Sequence, residues 1–234
     1  MEKTNCKFCS AEFEYEPIVG LPFSLKPTVC SNCDERQRSD RAASERGGRY
    51  RAFQALCPRI YQDSDPNHPG MPRAEKTASI LGWKRGPAGL LIYGATRKGK
   101  TRCAWMLVKR LIVDDGLNVI ALSSVEFANH AALAASTGSL CHVEWKQELF
   151  ECDVLFIDDL GKNKMTELVE ADLFDVIETR TSNGRPIIIT TNFVGRKSPT
   201  EPRVYGEALD DKFSPDRGAP LIARLREFTK AINL

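Results

Sequence analysis

The sequence predicts an α/β fold: a parallel sheet covered on both faces by helices, preceded by a small cysteine-bracketed module. Three observations carry that expectation. From about residue 74, short apolar runs alternate with segments of helical periodicity, the pattern of parallel strands joined by crossover helices. The first run, "GLLIY" (89–93), leads straight into the glycine-rich "GATRKGKT" (94–101) and then a helical segment. Ahead of these, Cys6, Cys9, Cys30 and Cys33 form two C-x-x-C pairs.

Composition narrows the class without naming a partner. A chain of 234 residues holds one sizeable core with a small appendage. Hydrophobic residues at 42% and charged residues at 27% are those of an ordinary globular protein, which excludes disordered and fibrous classes. A net charge of +2 means that any basic character is local. No run approaches the ~20 apolar residues that span a bilayer, so no membrane contact is expected. The start "MEKTNCKFCSAEF" lacks the apolar stretch of a secretory signal. A cytoplasmic location follows as an expectation, with Cys57, Cys103, Cys141 and Cys152 reduced.

Three segments are expected along the chain. Residues 1–35 form the cysteine module, with Pro17, Gly20, Pro22 and Pro27 between the pairs. Residues 36–73 form a basic helical segment and linker. Arginines 36, 38, 41, 46, 49, 51 and 59 lie here, and Tyr50, Phe53, Leu56 and Ile60 recur at helical steps. "QDSDPNHPGMP" (62–72) reads as loop on its turn residues.

Residues 74–234 carry the sheet. Leu90–Tyr93 is the first strand. The helix behind the glycine loop turns Ala104, Leu107, Val108 and Leu111 inward and ends at Asp114-Asp115-Gly116. Asn118–Leu122 is a second strand, followed by helical "VEFANHAALAAS". Val154–Ile157, apolar without interruption, is a strand buried on both faces. A helix over 165–182 buries Val169, Leu173, Val176 and Ile177 and closes at Asn183-Gly184. Ile187–Thr191 is a fourth strand, and "APLIARLREFTKAINL" is a helix followed by a last strand.

The loop Gly94-Ala95-Thr96-Arg97-Lys98-Gly99-Lys100-Thr101 satisfies G-x-x-x-x-G-K-[ST] between a strand and a helix, the context that makes it a phosphate-binding loop. Loop and helix N–H groups, through Arg102, point at phosphate oxygens, and the helix dipole favours negative charge there. Lys100 supplies a point charge to the β- and γ-phosphates of ATP, and the Thr101 hydroxyl suits Mg²⁺. Downstream, "DVLFIDDLG" (153–161) delivers two acids at the end of a buried strand. Asp158 is expected in the Mg²⁺ shell, and Asp159 to orient or deprotonate the attacking water. "PIIITTN" ends in Asn192, whose amide can position the same water. Arg97 and Lys98 stand where such loops carry small residues. Their side chains are expected to point off the cradle toward solvent, a neighbouring subunit or DNA, solvent first.

The spacing C-x₂-C-x₂₀-C-x₂-C (6, 9, 30, 33) is that of a zinc ribbon, a closed four-thiolate site that is structural. Disulfide pairing is the alternative. A module this small relies on Zn²⁺ for its fold. The arginine-rich segment beside it either contacts phosphates or is a solvated helix face.

The motif residues together resemble the AAA+ ATPases and, within them, DnaC-like helicase loaders and IstB-like transposition helpers. The resemblance runs from about Gly82 onward and is most specific over "FIDDLG" and "VIETRTSNGRPIIITTN". It implies the five-stranded order 5-1-4-3-2 and a sensor-1 role for Asn192; as a departure, a chain stopping at Leu234 is expected to have no C-terminal lid domain. It also implies that Arg224 in "LIARL" serves as a finger reaching a neighbour's nucleotide, so that self-assembly precedes hydrolysis. A solvated helix face is the alternative for Arg224. Pro220 departs from the family by standing where loaders carry a second arginine, and Asp159 by standing where Glu is common; the shorter acid implies slow ATP hydrolysis.

The implied function is an ATPase that loads or remodels a replicative helicase on single-stranded DNA, for a phage or mobile element, with residues 1–60 as the partner-binding arm. An IstB-like helper with a transposase partner remains open. So does a nucleotide-gated zinc-ribbon DNA-binding regulator with little turnover. A small-molecule kinase is disfavoured because no Arg-rich insertion lies between the motif strands.

Overall fold

The computed structural model describes residues 1–16, 27–137, 139–162, 165–193 and 209–234. Pro17, Gly20 and Pro22 lie outside them. The chain divides into two units, Met1–Arg51 and Ala52–Leu234. Residues 52–73, which the sequence assigns to a segment and linker, thus belong to the larger unit.

In the first unit, β1 (Glu2–Asn5) pairs antiparallel with β2 (Glu12–Tyr15), Glu2 opposite Tyr15. α1 (Ser31–Leu56) begins within the second cysteine pair and continues past the division. Up to Arg51 it buries none of its side chains, as expected of a helix polar all round. Of the apolar stripe expected from Tyr50, Phe53, Leu56 and Ile60, Phe53 and Leu56 pack against the core and Ile60 does not. Phe53 alone of these is buried, and Ile60 lies beyond Pro58 in the short α2 (Arg59–Gln62), 64% exposed. Proline removes an amide and biases the preceding residue away from helical angles, which accounts for the break.

The second unit is built on a five-stranded parallel sheet. After α3 (Ala74–Leu81) come β3 (Gly89–Tyr93), α4 (Lys100–Val113), β4 (Val119–Ser123), α5 (Ser124–Thr137), α6 (Ser139–Glu151), β5 (Val154–Leu160), α7 (Glu167–Ser182), β6 (Ile187–Thr191), α8 (Pro215–Phe228) and β7 (Thr229–Asn233). The spatial order is β4-β5-β6-β3-β7, which is the 5-1-4-3-2 order expected. Strand side chains alternate between two cores. Leu90, Ile92, Val154, Phe156 and Ile188 pack with Phe53, Trp83 and α4 on one face. Leu155, Ile157, Ile187 and Ile189 pack with α5, α7 and α8 on the other. Burial on both faces explains why these strands read as unbroken apolar runs.

Helices α3 and α6 have no counterpart in the sequence expectation. In α6 the apolar signal is weak because Leu140 and Val143 face outward while Leu149 faces the core. One internal cation organises the end of the sheet opposite the glycine loop. Arg180, wholly buried, donates to the carbonyls of Leu149, Cys152 and Pro186, so its guanidinium fork joins the entries to β5 and β6. Burial holds its pKa below the ordinary arginine value.

Candidate nucleotide site and four-cysteine centre

β3 ends at Tyr93 and the chain turns through residues 94–99 into α4. Two glycines permit that path. Gly94 takes φ +139, and a Cβ there would meet the Leu234 carbonyl oxygen at 2.2 Å. Gly99 takes φ +80, and a Cβ there would meet the Gly70 carbonyl oxygen at 2.3 Å. Neither space nor angle admits another residue. Gly99 is also the N-cap of α4, so the first helical N–H groups open toward the loop.

Lys100 is 5% exposed and donates to the carbonyls of Gly94 at 2.9 Å and Ala95 at 2.7 Å. Burial lowers its pKa against the opposing pull of Asp159 and Asp158. The Thr101 hydroxyl donates to Asp158 Oδ1 at 2.9 Å, across from β5. Burial raises the Asp158 pKa, while its hydroxyl partners oppose that rise. Asp159 has φ +56 and accepts a 2.8 Å ion pair from Lys162.

A cleft of about 470 Å³ is lined by Thr96, Arg97, Gly99, Lys100, Thr101, Arg102, Asp159, Asn192, Tyr61, Gly70 and Lys162. The structure thus brings the residues singled out from both motifs and from the end of β6 to one place. Arg97 borders this cleft and adopts φ +62, a left-handed conformation. Arg97 is exposed. Lys98 is exposed and not part of the lining. Arg102 leans over the Tyr61 ring, 5.5 Å from its centroid, and donates to Ser64 at 2.8 Å and Asp63 at 3.2 Å. Arg224 is remote from this group in its contacts: it pairs with Glu178 on α7 and lies over Phe228.

Sequence reasoning missed Tyr61, Gly70 and Lys162. For Lys162 a signal existed, since it directly follows the D-D-L-G turn. Tyr61 and Gly70 come from the segment read as linker, and nothing local distinguishes them.

Oxygen donors on Thr101 and Asp158, already within hydrogen-bond distance of one another, suit a hard cation such as Mg²⁺. In the first unit the sulfurs of Cys6, Cys9, Cys30 and Cys33 lie within 4.8 Å of one another. Cys9 Sγ and Cys30 Sγ are 3.7 Å apart. That is far beyond a disulfide and matches the edge of about 3.8 Å in a tetrahedron with Zn–S bonds of about 2.3 Å. Backbone bonds shape the knuckles: Ser10 N–H donates to Cys6 O, and Lys7 N–H to Thr28 O. The Cys30 and Cys9 amides pull the Cys6 thiol down to about 6. Hydrogen bonding to the Cys9 and Cys30 side chains pushes Cys33 up to about 12. As ligands the four would be thiolates, and a cation would relieve their mutual repulsion. The cluster fits a zinc ribbon.

A phosphate-binding loop on this sheet order, with two acids on the motif strand one removed from it, defines a P-loop NTPase of the AAA+ type. Residues 63–197, more than half of the chain, match the family model for IstB-like ATP binding proteins, and the chain belongs to that family. It is 27% identical over 165 residues to a Mycobacterium tuberculosis protein named as an ATP-binding protein in an insertion sequence; the match covers 68% of this chain and 62% of that one. Among solved structures, the DnaC helicase loader is similar at TM-score 0.59 and 17% identity, covering 76% of this chain and 99% of that one. AMPPCP-bound DnaA from Aquifex aeolicus is similar at TM-score 0.54 and 18% identity, covering 69% of this chain and 45% of that one. The chain therefore spans less than two thirds of the M. tuberculosis relative and of DnaA.

Proposed function

We propose that this chain binds ATP with Mg²⁺ and hydrolyses it slowly as an assembled switch in DNA replication or transposition. The observation that carries this is the junction of Lys100, Thr101 and Asp158 at the head of α4. Lys100 rests on two loop carbonyls and can exchange them for β- and γ-phosphate oxygens. Thr101 and Asp158 would hold Mg²⁺, which would supply positive charge against the phosphates. Asp159 orients the attacking water once it leaves Lys162, and Asn192, in the same cleft, holds that water. Arg224 exchanges Glu178 for a neighbouring subunit's nucleotide, which makes turnover depend on assembly.

The finer reading is helicase loading on single-stranded DNA in the cytoplasm. Its support is the fold shared with a helicase loader over nearly all of that protein, together with a separate four-cysteine unit suited to gripping a partner. The second reading is a transposition helper acting with a transposase, which the insertion-sequence relative favours. Affinity capture from the native host with ATP, combined with an ATPase assay with and without single-stranded DNA, separates them. Capture of a ring helicase with DNA-stimulated turnover supports loading. Capture of a transposase supports the second reading, and nucleotide binding without stimulated turnover supports a regulator.

A further inference from the structure

The register of β5 against β6 slips at the motif acids. Ile157 pairs with Ile189 and Leu160 with Thr191, so Asp158 and Asp159 together face the single residue Thr190. This is a bulge, the device by which a strand re-aims a side chain. Asp159 within it has φ +56, which places it off the strand path. Thr190 is wholly buried, and its hydroxyl does two things at once. It accepts the Asp159 N–H at 2.9 Å, standing in for the ladder partner that the bulge removes. It also donates to Asp158 Oδ1, the same oxygen that Thr101 reaches from the phosphate loop. A second hydroxyl, on Ser124, donates to the Asp159 carbonyl at 2.8 Å.

We propose that Thr190 is a positioning residue for this site: its hydroxyl fixes the metal-facing orientation of Asp158 and holds the bulge that aims Asp159. The inference rests on the ATPase reading. A valine at 190 keeps the β-branched shape and the apolar packing but neither donates nor accepts. It leaves the Asp159 amide unpaired and frees Asp158 to turn. A serine keeps both bonds and loses only a methyl group.

The test compares full-length wild type, Thr190→Val and Thr190→Ser. A fluorescent N-methylanthraniloyl-ADP is titrated with and without Mg²⁺, and phosphate release is measured beside it. Thr190→Val is expected to bind the Mg²⁺-free nucleotide within about twofold of wild type, since the loop amides and Lys100 are untouched. Its Mg²⁺ requirement should rise about tenfold or more, the cost usual for losing a partner of a metal ligand. The kcat should fall by about tenfold or more with little change in KM. Thr190→Ser should restore both. Wild-type Mg²⁺ dependence and kcat in Thr190→Val would overturn the proposal, and so would a serine variant as impaired as the valine. Should Thr190→Val fail to fold, Thr190→Ser against Thr190→Ala makes the same comparison. A wild-type chain with no Mg²⁺-dependent nucleotide binding would overturn the ATPase reading as well, which keeps the two failures distinct.

Discussion

The Thr101 hydroxyl and Asp158 Oδ1 lie 2.9 Å apart although 57 residues separate them in the chain. One begins the helix after the glycine loop, and the other ends the buried β5. The bond joins the two motifs at the head of that helix.

Lys100, by its burial, costs the folded protein stability. Its lowered pKa means that folding disfavours the charged form, so the sign is destabilising below the folded value. That penalty fades as pH rises toward the ordinary value of 10.5. Thermal melts of Lys100→Met are expected to show an apo protein at least as stable as wild type at neutral pH. The variant should lack the wild type's relative gain in alkali. Nucleotide titration of Lys100→Ala should show at least about 30-fold weaker binding, from the ~2 kcal/mol or more that a buried charged contact supplies.

Arg97 holds a left-handed backbone angle in a loop that the sequence leaves unexplained. Left-handed angles cost an ordinary L-residue roughly 1–2 kcal/mol, offset in part by the greater chain entropy of glycine. Arg97→Gly is therefore expected to melt at or slightly above wild type, by up to about 1 kcal/mol. Nucleotide binding should persist in it, because the loop amides remain; abolished binding would give Arg97 a direct role.

Arg224 pairs with Glu178 inside its own chain. Arg224→Ala should bind nucleotide like wild type and lose turnover in the assembled state. Glu178→Gln, which weakens the internal pair, should keep turnover. Full activity in Arg224→Ala would remove the finger and leave the arginine a structural ion pair of about 0–1 kcal/mol.

The four cysteines should carry about one zinc per chain by elemental analysis. Chelation or Cys30→Ser should release it and unfold the first unit, with the α/β unit still cooperative in melting. A folded, metal-free N-terminal unit would contradict this assignment.

Much of the fold was legible because both cores touch the strands, so Val154–Ile157 and Ile187–Thr191 are apolar throughout and hard to mistake. The motif residues were legible because phosphate and metal chemistry demand particular residue types at short spacings. What escaped arises from distant packing. Gly70 seals against Gly99, and Tyr61 meets Arg102, through a segment whose local sequence signals only turns. The service of Thr190 to both acids depends on a register slip that no single strand reveals. Ile60 misled because periodicity alone does not register the break at Pro58.

The central claim is that this cleft holds Mg²⁺ and ATP for hydrolysis, and phosphate release by wild type beside Asp158→Asn tests it most directly. Saturable, Mg²⁺-dependent release is expected from wild type, raised by single-stranded DNA and reduced about tenfold or more in Asp158→Asn. Equal rates in the two proteins, or no nucleotide binding by wild type, would contradict it.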